Sequence, residues 1–437
     1  MISTTQTIVA LCFLAFFVVI VSLAPKTPHP PPVPFNNKKI YATEVFENFE
    51  DEDSTDEESD EVQEDEETVV IEENYENLEL QQPATPPSEV SNIEMDPYSM
   101  TNDDTIFISV ASYRDTSCSK TIKSIYLNAS RPDLIYIGLC QQNDPTKDAD
   151  CAKDDELDPA WQSHIRSIRV AHHDAMGPTW ARYLCSTLLD EECYYLQIDS
   201  HCTFSPEWDA KLVRMIKMLK ASGVRKPLLS HYTKAHESYF DKNDDKESVP
   251  TICKSFFNEQ KMISFEGADF VKSKPDELPR PNPYVAAGMM FAESEFAKEV
   301  PFDPNLPYLF VGEEILHSVR LWTHGWDVFT PNENVIYHFY TRENEPKFWN
   351  DVSYNNDADS VNKVRNLLEL EDANAMSPIM AKNLNVYGLG KERTLQQYFE
   401  FSGIDKEKKT INFDFCKDPD VFARWEKFRD TEKQPLK

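Results

Sequence analysis

The run Tyr194-Tyr195-Leu196-Gln197-Ile198-Asp199-Ser200-His201-Cys202 carries the strongest fold signal in the chain. A β-prone apolar stretch breaks off abruptly on three polar residues. A strand that ends this way delivers its last side chains to the carboxyl edge of a sheet, where open α/β sheets bind their ligands. Asp199 and His201 are two residues apart, so in extended chain both side chains leave on the same side. One carboxylate and one imidazole facing a common point suit a divalent cation such as Mn²⁺ and leave coordination positions for a diphosphate. Taken alone, the same spacing also describes an ordinary surface turn.

The surrounding segments alternate in a way that supports the first reading. Residues 106–110 read as a buried strand, closed by Ser112, Tyr113, Arg114 and Asp115. Asp115 or Thr116 is predicted to cap a helix whose apolar face is Cys118, Ile122, Ile125, Tyr126 and Ala129. Residues 134–140 form the next predicted strand, ending on Gln141 and Gln142, and a polar loop leads to a third strand at 165–170. Gly177-Pro178 opens a helix with Ala181, Leu184, Cys185 and Leu188 on one face, before the strand at 194–198. This order predicts an α/β fold with a Rossmann-like, nucleotide-binding sheet.

Downstream, Ser205 and Pro206 suit the cap and first position of a helix that buries Trp208, Leu212, Met215, Ile216 and Leu219 and stops at Gly223. Leu228-Leu229-Ser230 reads as a short strand, and residues 231–282 as long loops near the site. The small residues Ala286-Ala287-Gly288 let a ligand or another backbone approach closely. A helix is predicted at 313–322. Strands follow at 326–329 and 335–340, the second carrying His338.

The chain ends add a different kind of information. A length of 437 residues would allow two or three domains of about 150 residues each. Residues 8–24 are apolar and uncharged, and about 17–25 such residues cross a bilayer. A type II signal anchor is the preferred reading and a cleaved signal peptide the alternative. Lys26, Lys38 and Lys39 follow the span and argue against a lumenal domain. Residues 25–34 are proline-rich and expected to be extended. Asp and Glu crowd residues 44–104, and residues 40–113 hold no Lys or Arg. Such a tract buries too little apolar surface to offset its ordering entropy and is expected to be a disordered stem. It carries most of the net charge of −32. A solvated spacer is the simpler reading, and a tail for a basic partner the sharper one. The expected organisation is therefore an anchor segment at 1–24, a stem at 25–104 and one catalytic domain at 105–437. No nucleic-acid partner is expected.

One of the nine cysteines, Cys12, lies in the apolar span; the others begin at Cys118. Their even number permits disulfides without revealing the pairing. No Cys-x-x-Cys occurs, which argues against a structural zinc site. Asn128-Ala129-Ser130 is a glycosylation sequon.

At this point the motifs resemble a known family. Ile198-Asp199-Ser200-His201-Cys202 resembles the metal-binding motif of GT-A glycosyltransferases, especially polypeptide N-acetylgalactosaminyltransferases. Val311-Gly312-Glu313-Glu314, followed by Arg320-Leu321-Trp322 and Gly325, is similar to their Gly-Glu sugar-binding segment. Val335-Ile336-Tyr337-His338 is similar to the strand that supplies their third metal ligand. The closer resemblance is to polypeptide α-N-acetylglucosaminyltransferases. It rests on Val110-Ala111-Ser112-Tyr113-Arg114-Asp115, on Gly177-Pro178 with Ala181-Arg182, on Gln197-Ile198-Asp199-Ser200-His201, and on Tyr387-Gly388-Leu389-Gly390 with Arg393-Thr394.

That resemblance implies a GT-A fold and a retaining transfer of GlcNAc from UDP-GlcNAc to a protein hydroxyl, with Mn²⁺ or another divalent cation. Members act on hydroxyproline in the cytoplasm or on Thr and Ser in the Golgi. The apolar N-terminus here favours a polypeptide Thr/Ser acceptor and a single-pass type II Golgi membrane protein with a lumenal catalytic domain. Asp199, His201 and His338 would hold the metal. Ala111, Ser112, Tyr113, Arg114 and Asp115 would border the uridine, with Tyr113 against the base. Arg182 would reach the nucleotide, and Gln197, Ser200 and Gly288 would complete the donor pocket. Glu313 and Glu314 would face the sugar as the catalytic pair.

Plainer roles stand beside these. Arg114 and Asp115 could form a capping ion pair, Arg182 could be a surface residue, and one of the two glutamates could be a favourable first-turn acid. His172-His173-Asp174 is read as loop despite its metal-like composition. The competing functions are transfer to hydroxyproline or a glycan, a metal-dependent hydrolase, and a non-catalytic sugar-nucleotide-binding protein. A hydrolase would need a richer ligand cluster.

Overall fold

The computed structural model describes residues 96–152, 157–342, 345–351, 357–371 and 373–429. The predicted anchor at 8–24, the proline-rich segment and the acidic stretch before Asp96 lie outside these residues. Among the described residues no helix is long and apolar enough to cross a membrane. The folded chain begins earlier than the predicted boundary at 105. The Asp104 carboxylate accepts from the Thr101 N–H at 2.6 Å and pairs with Lys217 Nζ at 2.7 Å, and Met100 packs on the core.

Four parallel strands, β1 (Ile106–Tyr113), β2 (Ile135–Asn143), β3 (Ile165–Ala171) and β4 (Tyr194–Asp199), lie in the order β3-β2-β1-β4. Their pleat explains the core. Ile106, Ile108 and Val110 bury one face with Ile135, Ile137, Leu196 and Ile198, while Phe107 and Tyr195 bury the other. Each fully buried side chain of this kind contributes about 1.5–3 kcal/mol. Helices α1 (Cys118–Asn128) and α2 (Pro178–Ser186) connect the strands. The α1 cap is Ser117, not the predicted Asp115 or Thr116; the Asp115 carboxylate instead accepts from the Ser117 N–H at 2.9 Å.

The chain order reverses between β1 and β4, and this switch point opens a crevice at the carboxyl ends of both strands. Beyond β4, the short strand β5 (Cys202–Phe204) leads into α3 (Trp208–Ala221). Its N-cap is Glu207 in the left-handed region (φ 60°), so the helix starts later than Ser205 and Pro206 suggested. The sheet continues past β4 with β13 (Met289–Glu293), which is antiparallel to it, and then β6 (Pro227–Ser230), β14 (Asp327–Thr330) and β12 (Arg280–Pro281).

Between β6 and β12 the chain forms β7 (Lys234–Ala235) and two ribbons, β8 (Ser248–Thr251) with β11 (Asp269–Lys272) and β9 (Ser255–Phe257) with β10 (Ile263–Phe265). The predicted long loops therefore contain short paired segments. A separate three-stranded sheet sets β15 (Ile336–His338) between β5 and β7, with His338 opposite Cys202. Helix α4 (Glu313–Thr323) closes the crevice from the other side. Disulfides join Cys118 to Cys151 and Cys253 to Cys416.

Candidate active site

A cavity of about 610 Å³ occupies the crevice, within the roughly 300–1,000 Å³ common for small-molecule sites. Ala111, Tyr113, Arg182, Asp199, Ser200, His201, Gly288, Glu313, Glu314 and His338 all line it. Four residues expected there do not. Ser112 follows the strand's alternation to the opposite face and is fully buried. Arg114 adopts φ 48° and turns away to bond Asp148 and Asp351, each at 2.8 Å. Gln197 is buried inside β4, where its amide donates to the Ala287 carbonyl at 2.6 Å. Asp115 lies behind the cavity wall, its side chain only 1% exposed.

Asp115 has a different task. Its carboxylate lies 2.7 Å from His201 Nδ1 and also accepts from the Ser200 hydroxyl. Burial opposes its charge, but His201 and Arg342 hold its carboxyl below the usual range. Bonding Nδ1 in this way makes Nε2 the nitrogen left to ligate, the arrangement that commonly orients a metal-binding histidine.

Asp199, His201 and His338 each offer one ligand atom, and these atoms lie within 4.8 Å of one another. Asp199 is the end of β4 and His201 the bend before β5, while His338 arrives on β15. His338 Nε2 is 3.2 Å from Asp199 Oδ2. Although burial works against a charge on Asp199, His338 and Arg182 hold its carboxyl well below the usual range. One carboxylate and two imidazoles, one of them held by Asp115, fit a divalent transition metal. Gly288 is needed for the same reason. A Cβ there would stand 2.9 Å from Asp199 Oδ2, so a larger residue would displace that oxygen.

Arg182 joins the two halves of the site. Its Nη2 donates to Asp199 Oδ1 at 3.0 Å and its Nη1 donates to Glu313. Burial would lower the guanidinium pKa, yet Glu313 and Asp199 push it up. Glu313 and Glu314 begin α4 behind Gly312, whose φ of 100° suits glycine. They are thus first-turn acids and cavity-lining residues at once. Burial raises the Glu313 pKa despite Arg182. Burial carries Glu314 to about 7, although it accepts from the Ala287 N–H at 2.9 Å and the Tyr232 hydroxyl at 2.7 Å.

Several lining residues escaped the sequence reading. Gln142 and Tyr232 sit at or just past the carboxyl ends of β2 and β6, so the strand-end rule could have found them. Arg342, Phe310, Phe348 and Trp349 also line the cavity, and nothing local in the sequence announced them. His172-His173-Asp174 forms a short 3₁₀ turn outside the ligand set, in line with the loop reading.

Comparison with known proteins now adds to the geometry. No curated protein matches the chain in sequence. Among solved structures, GalNAc-T7, crystallised with UDP, GalNAc and Mn²⁺, is similar at 16% identity over 69% of this chain, with a TM-score of 0.44. The chain spans 57% of the length of that protein. S. aureus TarS 1–349 is similar at 10% identity over 74% of this chain and 78% of its own, with a TM-score of 0.37. Likenesses this slight carry no argument about the chemistry here. The sequence itself says more. The family model described as Glycosyltransferase (GlcNAc) matches residues 105–161 and 158–408, which takes in all the cavity strands, α4 and the three clustered ligand residues. A mixed α/β domain with its cavity at the sheet's switch point, matched along most of its length by that family, belongs to the GlcNAc glycosyltransferases.

Proposed function

We propose that this domain is a retaining, divalent-metal-dependent transferase that moves GlcNAc from UDP-GlcNAc to Thr or Ser hydroxyls of polypeptides. The observation that carries the reading is the meeting of Asp199, His201 and His338 with Glu313 and Glu314 in one cavity at the switch point. A bound divalent cation such as Mn²⁺ would act as a Lewis acid toward the donor's diphosphate.

The chain's own residues prepare that chemistry. Asp115 fixes the His201 ring, and Arg182 holds Asp199 and Glu313 in one geometry. The Ala287 N–H and Tyr232 hydroxyl fix Glu314, whose pKa near 7 suits proton exchange at working pH. Glu313 offers the sugar the oxygen that Arg182 does not hold. Phe310 and Trp349 stack edge to face at 5.5 Å on the cavity rim and are 49% and 42% exposed. They give an acceptor chain an apolar surface beside the donor. The two disulfides support an oxidising compartment, which fits a Golgi-lumenal domain behind a type II anchor at 8–24.

The test supplies UDP-GlcNAc, Mn²⁺ and Thr, Ser, hydroxyproline and oligosaccharide acceptors, with NMR of the product. An α-linked GlcNAc on Thr or Ser is expected. A β-linkage rejects retention, and transfer to free glycans alone rejects the polypeptide acceptor.

A further inference from the structure

We infer that Ser318 is a positioning residue for the transfer: its buried hydroxyl, together with that of Ser230, locks the run 285–288 so that the Ala287 N–H meets Glu314. The inference rests on the role given to Glu314 above and deepens it. Three consecutive backbone N–H groups of this run each donate to a side chain. Val285 donates to Ser318 Oγ at 3.0 Å, Ala286 to Ser230 Oγ at 2.8 Å and Ala287 to Glu314 Oε1 at 2.9 Å. Ser318 and Glu314 come from α4, and Ser230 ends β6.

Each hydroxyl is fixed by a second bond. A backbone N–H can only donate and a carbonyl can only accept, so each serine accepts on one side and spends its single proton on the other. Ser318 Oγ donates to the Glu314 carbonyl, one turn earlier in α4, at 2.7 Å. Ser230 Oγ donates to the Met289 carbonyl, just past the run, at 2.6 Å. Gln197 holds the remaining side, its amide donating to the Ala287 carbonyl at 2.6 Å. Ser230, Ser318 and Gln197 are all buried. Burying a polar group is unfavourable unless it is bonded, and these three are committed to one short irregular segment. That segment is a wall of the cavity, which Ala286, Ala287 and Gly288 line.

The wall has little room to move. Ser318 and Glu314 lie one turn apart on the same helix, so the Val285 and Ala287 bonds tie the run to α4 at two points. On the other side Gly288 is already close to Asp199, where even a Cβ would stand 2.9 Å from Oδ2. Without Ser318 Oγ the Val285 N–H becomes a buried donor with no acceptor. The run then shifts to find one and draws the Ala287 N–H away from Glu314. That N–H and the Tyr232 hydroxyl are the two donors that hold the Glu314 carboxylate. Its aim is thus set by a serine that does not itself line the cavity.

The test is a double-mutant cycle on the full chain with UDP-GlcNAc, Mn²⁺ and a Thr peptide. Ser318→Ala should lower kcat about tenfold, the scale of one lost hydrogen bond, and leave UDP affinity near wild type. On a Glu314→Gln background the same substitution should cost nothing more in kcat, because both changes act through one carboxylate. A further loss on that background, an equal loss of UDP affinity, or a wild-type kcat in Ser318→Ala overturns the inference. Amide hydrogen exchange gives a readout without turnover. Peptides covering 285–288 should exchange about tenfold faster in Ser318→Ala than in wild type, and an unchanged rate overturns the brace. A wild-type chain that transfers no GlcNAc rejects the transferase reading, and the exchange rate then decides the brace by itself.

Discussion

The Asp115 carboxylate lies 2.7 Å from His201 Nδ1, and through that contact a residue following β1 governs an imidazole following β4. The contact joins two strand ends across the switch point and decides which imidazole nitrogen remains for a metal. Losing such an outer partner commonly costs about 10–100-fold in metal affinity. Asp115→Asn should therefore weaken Mn²⁺-dependent UDP binding by about that factor, and His201→Ala or His338→Ala should abolish it. Calorimetry, with circular dichroism as the folding control, decides. Wild-type affinity in the histidine variants removes them from the ligand set.

Glu313 and Glu314 line the cavity together with Ala111 and Tyr113, and the proposed function assigns the two glutamates to the sugar and the other two residues to the nucleotide. Glu313→Gln should lower kcat about a hundredfold, roughly 2.7 kcal/mol of barrier, and leave UDP affinity nearly unchanged. Equal losses in kcat and UDP binding would instead mean that the substitution acts by releasing Arg182 from Asp199.

Burial carries the Glu314 carboxyl from its usual 4.5 to about 7. Below the lower value it is protonated in both the folded and unfolded chain. As pH rises the unfolded chain releases its proton first, so the folded state loses stability across this window, by at most something on the order of 3 kcal/mol. Above about pH 7 the loss is complete. Urea unfolding of wild type and Glu314→Gln from pH 4.5 to 7.5 reads the effect together with that of the neighbouring Glu313, because groups remote from Glu314 cancel in the difference. The variant should gain on wild type as pH rises, and a pH-independent difference would remove the shifted carboxyl from the account.

The Cys253–Cys416 disulfide closes a loop with a sequence separation of 163. A loop this long is worth roughly 5 kcal/mol in the chain-entropy description, with native strain subtracting from it. Cys253→Ser with Cys416→Ser should lower the urea midpoint strongly, whereas Cys193→Ser, at an exposed free thiol, should leave it unchanged. An unchanged midpoint in the double variant would show that the bridge does not form in the native protein.

The proposed topology has a direct assay in intact microsomes. The domain should resist added protease until detergent is present. Digestion without detergent would place it on the cytoplasmic side, the orientation that Lys26, Lys38 and Lys39 favour.

The local signals in the chain were legible because their periods are local. Short apolar runs located β1 to β4 to within a few positions, and the polar ends of those strands pointed to Tyr113, Asp199 and His201, with Ala111 added by the family motif. Family motifs added Arg182, Glu313, Glu314 and His338, the small-residue run added Gly288, and all five line the cavity. The reading failed where one residue's direction mattered. Ser112 and Tyr113 are adjacent in sequence, yet the pleat sends one to the core and the other to the cavity. Arg114 leaves the strand through a positive φ, and Asp115 ends up supporting His201 from behind.

The local pattern of the chain supplied the order of the elements and the chemical types at the strand ends, while the switch point emerged from the pairing of β4 with β1. Long-range packing pairs β15 with β5 and brings His338 beside Asp199, 139 residues away. The same packing decides which cysteines meet. The physical reason is the range of the forces. Strand and helix periods follow from bonds within a few residues, whereas long-range partners are chosen by packing the whole core at once.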